Sequence, residues 1–288
     1  MALGTSAIAQ EATAIEPPVD EIVVTAPQDL SPAEITEAIE RLVPDLRSDR
    51  PVPRLSDPLC LAVAGFPSGS AQALHAAITS RVLEFGLTEA SLGCTPNVVV
   101  ALSDDPAEFI AALRKKQPRL FSTHSNRMIA FALDRGDAGV GWSDVELRSR
   151  SGAPLRRSAA IPGLTQQMAV ETKVNSDAAA RRLGTNLSAA FRHSILVFEA
   201  HRLNAKTIGQ IAGYAVMRVL TGAFGASEPD GASLSILDLF DDETLPAEGL
   251  TDFDRAYLTA LYGSRANAAG TDLRGAVVRA YADRASRP

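Results

Sequence analysis

Metal and nucleophile chemistry both need particular side chains at particular spacings, and this chain offers few candidates. Of its four histidines, His193 and His201 bracket the apolar run His193 to Ala200, which reads as a strand. At about 3.3 Å per residue their Cα atoms would stand of order 26 Å apart, too far for one metal ion to bridge. His75 has no His, Cys, Asp or Glu three or four positions away, the spacing that puts two ligands on one helical face. His124 lies in Ser122-Thr123-His124-Ser125, a pattern that starts a helix. Each histidine therefore reads as a surface or hydrogen-bonded residue. Asp238, Asp241, Asp242 and Glu243 could offer oxygens to a hard cation, but the run lacks the loop length and central glycine of a calcium hand.

Nucleophile patterns fail in the same way. Gly65-Phe66-Pro67-Ser68-Gly69 puts a serine between glycines, yet it is one residue out of register with Gly-x-Ser-x-Gly, and no lysine stands three residues after a serine. The Gly65 to Ser70 loop follows an apolar run and opens a helical pattern, so its amides either cap that helix or offer an anion seat. It lacks the Gly-Lys-Ser/Thr of a phosphate loop. The expectation is no catalytic residue, no metal ligand and no cofactor.

The elements around the two cysteines are easier to read. Cys60 opens the run Leu59 to Gly65 and Cys94 precedes Asn97 to Leu102; both runs are short and β-branched, as buried strands are. Between them Leu74, Ile78 and Val82 recur at helical spacing from Ser68 to Gly86. If the two strands are parallel neighbours, Cys60 and Cys94 share one end of the pair, where a disulfide is sterically possible. Two buried free thiols or a catalytic cysteine are the alternatives, and neither has a histidine motif nearby. A bridge would also fit an exported chain.

The composition, 46% hydrophobic and 5% aromatic in 288 residues, is that of a globular chain with room for one large core or two modest ones. No apolar run approaches the roughly 18 residues of a membrane span. A formal net charge of −6 argues against a nucleic-acid partner, which needs a basic footprint. Arg148, Arg150, Arg156 and Arg157 flank a turn at Ser151-Gly152, while Glu228 to Asp254 holds nine acids and no Lys or Arg. Both patches read as solvated surface, with an interaction face as the other possibility.

Punctuation divides the rest. Residues 10–30 are rich in Pro, Thr and acids without helical period and read as a disordered tail. Ser31-Pro32-Ala33-Glu34 is a capping box opening a short helix through Ile35, Ile39 and Leu42, and Arg47 to Pro58 is a linker or an extended lead-in, so residues 31–58 form a helix and linker. Helices are expected from Asp105 through Leu113 and from Ser125 to Arg135, and strands over Val140 to Arg150 and Gln166 to Thr172. Residues 59–172 thus read as a small α/β domain. Beyond it, Ser176 to Phe191 reads as a helix, His193 to Ala200 as a strand, Thr207 to Thr221 as a helix, Leu234 to Phe240 as a short apolar stretch, and helices follow from Thr251 and over Asp272 to Asp283.

The series His193 to Phe198, Thr207 to Ala215, Ser235 to Phe240 and Leu250-Thr251-x-x-Asp254-x-x-x-Leu258-x-x-Leu261-Tyr262 resembles secreted bacterial zincin-like proteins of uncharacterised function. The resemblance covers roughly the last hundred residues. It implies an α+β fold in which the α/β domain is followed by a helix-rich, zincin-like domain over residues 173–288. In zincins the helix at Thr207 to Thr221 would carry His-Glu-x-x-His, whose imidazoles hold zinc while the glutamate activates water. Here Gln210 and Tyr214 stand in the imidazole places and Ile211 in that of the base, and an aliphatic side chain cannot accept a proton. Gln210 has a plainer use in the capping box Thr207-x-x-Gln210. A diverged hydrolase would have to gather its titratable groups in a pocket near Gln210, Tyr214 and Asp238.

The N-terminus speaks to location. Ala7-x-Ala9 before Gln10 fits a signal-peptidase site, so residues 1–9 read as the remnant of a signal peptide; an alanine-rich tail is the alternative. Asp20-Glu21-Ile22-Val23-Val24-Thr25-Ala26, between Pro17-Pro18 and Pro27, resembles the TonB box of Gram-negative outer-membrane receptors, a segment that pairs as an added strand with the TonB periplasmic domain. The resemblance implies a periplasmic or outer-membrane-associated client of TonB. The functional expectation is a non-catalytic exported protein that binds an envelope protein or ligand, with a diverged peptidase-like hydrolase as the alternative.

Overall fold

Ser31 accepts the Glu34 amide while the Glu34 carboxylate accepts the Ser31 amide, and this capping box with Pro32 at the first position starts α1 (Pro32–Leu42), which buries Ile35, Ile39 and Leu42. In this computed structural model the described residues are 30–43, 46, 50–157, 173–175, 185–223, 234–241 and 245–286. The expected signal-peptide remnant, the TonB-box-like segment and the strand over Gln166 to Thr172 lie outside them.

The strand, helix, strand unit is present. β1 (Leu61–Ala64) and β2 (Val98–Ser103) pair in parallel, with α2 (Ser68–Glu84) between them in sequence and Leu74, Ile78 and Val82 fully buried on it. Gly65, at φ +79°, turns the chain from β1 into α2; a Cβ there would run into the Leu102 carbonyl oxygen of β2, so only glycine fits. The Gly65 to Ser70 loop does open the helix, though Pro67 at the cap gives no side-chain hydrogen bond. Cys60 and Cys94 sit at the same end of this pair and are bridged, with Cα atoms 6.1 Å apart.

After β2 come α3 (Pro106–Lys116), capped by Asp105, α4 (Thr123–Asp134), capped by Ser122, and the long β3 (Gly139–Ser149). β4 (Arg156–Arg157) and β5 (Lys173–Val174) form a small antiparallel pair. β6 (Leu187–Glu199) then leads to α5 (Ile208–Thr221), α6 (Asp252–Gly263) and α7 (Gly270–Ala285).

The main sheet runs β1-β2-β6-β3, with β1, β2 and β6 parallel and β3 antiparallel at the edge. Two apolar layers follow from the two-residue alternation of strands. Val98, Val100, Leu196 and Phe198 face a core built with α1, α2, α5, α6 and α7, whereas Ala101, Val140, Trp142, Ile195 and Val197 face a smaller one with Ile110, Met128 and Ile129 of α3 and α4. The described part is thus mixed α and β, seven helices around a four-stranded mixed sheet, as an α+β reading expects.

Several expectations change. Leu187 to Phe191, read as the end of a helix, is the first part of β6, because those residues pair with Val145 to Ser149 of β3 and tertiary pairing overrides the helical spacing of Leu183, Leu187 and Phe191; residues 176–184 lie outside the described set. His193 consequently stands inside the strand rather than at its start. The boundary near residue 172 does not divide the sheet, since β6 is hydrogen-bonded between β2 and β3. The stretch from 50 to 58 is a packed, extended lead-in: Val52 and Leu55 are buried, the Arg54 carbonyl accepts the Phe191 amide, and the Arg54 guanidinium donates to the Leu261 and Ser264 carbonyls at 2.6 and 2.8 Å, closing the C-terminus of α6.

The bridge closes a loop of 34 residues and stabilises the fold by roughly 3 to 4 kcal/mol on the loop-entropy argument. Non-reduced peptide mapping should recover Cys60 and Cys94 in one species, and the double variant Cys60→Ser, Cys94→Ser should lose about that stability in urea unfolding.

Candidate functional site

The residues singled out on α5 serve the fold. Gln210 accepts the Thr207 amide through Oε1 at 2.9 Å and donates from Nε2 to the Ala247 carbonyl at 3.0 Å, completing the predicted capping box and tying the helix start to a neighbouring loop. Tyr214 is buried between Phe198 and Phe240, with centroids 5.6 and 5.0 Å away, and its hydroxyl accepts from the Arg218 guanidinium at 3.1 Å. Burial raises its pKa, with the nearby Arg218 pulling the other way. Asp238 accepts the Ser235 amide at 3.2 Å and closes a short 3-10 turn, Ile236–Asp238, that packs against α5. All three residues are buried, and none lines either cavity described below. Among the described residues no group of three or more His, Cys, Asp or Glu could hold a metal ion; Asp242 and Glu243 lie outside that set.

Some charges read as solvated surface are structural. Arg148 is only 4% exposed; it donates to both carboxylate oxygens of Asp57, at 2.8 and 2.5 Å, and to Glu146 at 2.9 Å, pinning the lead-in to β3 and holding the Asp57 carboxyl below its usual range. Asp254, in the acidic stretch, is fully buried. It accepts from the Ser235 hydroxyl at 2.6 Å, the Ile236 amide at 2.8 Å and the Thr251 amide at 2.9 Å, so one carboxylate caps both α6 and the 3-10 turn. Burial nevertheless pushes its pKa from 3.8 up to about 6, against those hydrogen bonds. A displaced carboxylate often marks a functional site; here three fixed donors supply the structural explanation. The Thr251-x-x-Asp254 pattern gave the cap, and only packing gave the burial.

A concavity lies beside the edge strand β3. It encloses about 510 Å³ and is walled by Val43 and Leu46 after α1, by Arg50 to Pro53, by His124, Arg127 and Met128 of α4, by Ser143 and Val145 of β3, by Phe191 of β6, and by Thr221 and Gly222 at the end of α5. His124, Arg127 and Met128 share one face of α4 through their three- and four-residue spacing. Gly222 ends α5 at φ +66°, and a Cβ there would lie 3.2 Å from the Phe191 ring.

Phe191 reaches this wall because of a bulge. Ser143 pairs with Ser194 and Val145 with Phe191, so residues two apart on β3 match residues three apart on β6, the extra one being Arg192. Without it Phe191 would point with His193 toward the α3 and α4 side of the sheet, where His193 Nε2 lies 3.2 Å from the carbonyl of Leu120 in the turn between those helices. Arg192 turns outward to Asp144 and Glu146, at 3.4 and 3.5 Å.

The cavity's hydroxyls are already engaged. Ser143 Oγ lies 2.8 Å from Ser194 Oγ, and Thr221 donates to the Met217 carbonyl while accepting the Ala223 amide. His124 is exposed and makes no hydrogen bond among the described residues, so no base is aligned on either hydroxyl. A second void of about 10 Å³ continues the floor past Met128, Ser143 and Gly222 to Trp142 and Arg218. The sequence contained all these residues, but their convergence depends on the bulge and the crossover, which leave no motif. His75, on α2, lies outside the lining, and His201 faces Glu199 at 3.3 Å.

Asp254 gives a pH signature. Its folded pKa is the higher one, so its contribution is complete below about pH 4 and is lost as pH rises through about 6, a change of roughly 3 kcal/mol. Urea titrations across that range should show the native chain losing about that much more stability than Asp254→Asn, which cannot ionise. Coincident slopes would remove the buried-carboxylate account.

Comparison of the chain with protein-family models, with curated proteins and with solved structures gives no match.

Proposed function

We propose that the chain is a non-catalytic binding protein of the bacterial envelope whose ligand seat is the cavity beside β3. The observation that carries this reading is the cavity itself. Its volume of about 510 Å³ falls in the roughly 300–1,000 Å³ range of ligand pockets, and it combines apolar walls from Val43, Leu46, Val52, Met128, Val145 and Phe191 with a few polar groups. Engaged hydroxyls and an unaligned histidine favour binding over hydrolysis, because acyl transfer needs a nucleophile within reach of its base. The Cys60 to Cys94 bridge fits an oxidising compartment, and among the described residues no helix is long and apolar enough to cross a membrane.

In this reading residues 20–26 tether the binding body to TonB by strand addition, and the folded part carries the ligand or envelope partner. Proline at position 23 removes a backbone donor and obstructs pairing. Pull-down with the TonB periplasmic domain should retain the intact chain and lose Val23→Pro; equal retention of the two, or none of either, rejects the tether.

The cavity is tested with a neutral apolar fluorophore, N-phenyl-1-naphthylamine. It should bind one per chain, and Val145→Trp should abolish binding while leaving the thermal transition in place. Val145 suits this test because it lines the cavity yet is 39% exposed, so a larger side chain there does not enter the closed core. Absent or non-saturable binding by the native chain would reject the seat.

A further inference from the structure

The charge of the cavity departs from that of the chain. The protein as a whole carries −6, yet among the described residues the cavity lining contains two arginines, one histidine and no Asp or Glu. Arg50 enters from the lead-in and Arg127 from α4, and both are exposed. Neither has a carboxylate partner among the described residues, in contrast to Arg148, Arg255 and Arg284, which are paired with Asp57, Glu84 and Asp252. Two cations lining one apolar cavity, with no acid among its described lining residues, raise the local concentration of anions and offer forked donors suited to a carboxylate.

The remaining lining limits what that anion can be. Val43, Leu46, Val52, Met128, Val145 and Phe191 supply hydrocarbon contact along the walls, whereas Ser143 and Thr221 have their hydroxyls committed elsewhere. A compact, fully hydrated anion such as inorganic phosphate would leave those walls against water. A long neutral chain would leave the arginines without a partner. On the binding reading given above, we infer that the seat selects an amphipathic monoanion, an aliphatic carboxylate whose chain lies against the apolar walls and whose head meets Arg50 and Arg127. His124, one turn before Arg127, adds a ring nitrogen beside the same head.

The test compares decanoate with 1-decanol, which share a chain and differ in the head, as competitors for bound N-phenyl-1-naphthylamine at neutral pH, using the full chain. Decanoate should compete about tenfold better than 1-decanol, the scale of two solvent-facing ion pairs. Arg50→Gln combined with Arg127→Gln should erase that preference while 1-decanol competes as before, which also shows the variant folded. Trp142 is the sole tryptophan and lines the floor void, so its emission gives a second readout free of the probe. Equal competition by the two compounds in the native chain would overturn the anion inference while leaving the binding seat intact. Binding of the fluorophore with no competition by decanoate would do the same. Failure of the fluorophore itself to bind would remove the seat, and the inference with it.

Discussion

The pairing of β6 on both sides is the constraint on which the rest depends. Its residues from Ser194 to Glu199 run parallel to β2, while Leu187 to Phe198 run antiparallel to β3. Because alternate side chains point to opposite faces, Leu196 and Phe198 enter one core and Ile195 and Val197 the other. A one-residue slip would exchange those faces and break both cores together. Burial on two faces also explains why this strand reads as a near-continuous apolar run without visible alternation.

A single interruption in that strand shapes the cavity beside β3. The bulge at Arg192 reverses the side-chain alternation below His193, sending Phe191 toward Val145 and the end of α5. Edge position matters as well: among the described residues β3 has no further strand of the main sheet beyond it, and the lead-in and the start of α4 line the cavity at its side. A bulge next to an edge strand is a common way for a sheet to re-aim side chains toward a site.

The polar groups that surround this framework hold segments in place. Arg148 ties Asp57 to β3, Arg54 closes the end of α6, and Asp254 joins two turns distant in sequence. Arg148 and Asp254 use most of their hydrogen-bonding capacity, the condition under which burying a charge is tolerable. Tyr257 is an exception: its hydroxyl is buried with no hydrogen-bond partner among the described residues, away from the cavity, and burial raises its pKa.

Much of the local structure was legible in the amino-acid order. Capping boxes at Ser31, Thr207 and Thr251, the helical spacing of Leu74, Ile78 and Val82, and the two β-branched runs behind the cysteines each fix a backbone state through contacts a few residues away. The cysteine bridge followed from those strands lying side by side. What the sequence could not decide was long-range: which strand lies between β2 and β3, whether Leu187 to Phe191 extends or coils, and which face Phe191 takes. Its spacing with Leu183 and Leu187 favoured a helix, and the hydrogen bonds of β3 outweighed that preference. The same holds for charge. Arg148 and Asp254 look like surface residues until partners 91 and 19 positions away are brought to them, and Arg50 meets Arg127 only because the tertiary structure folds the lead-in across the start of α4. Residue types set what each group can do; the pairing of distant segments sets what it faces.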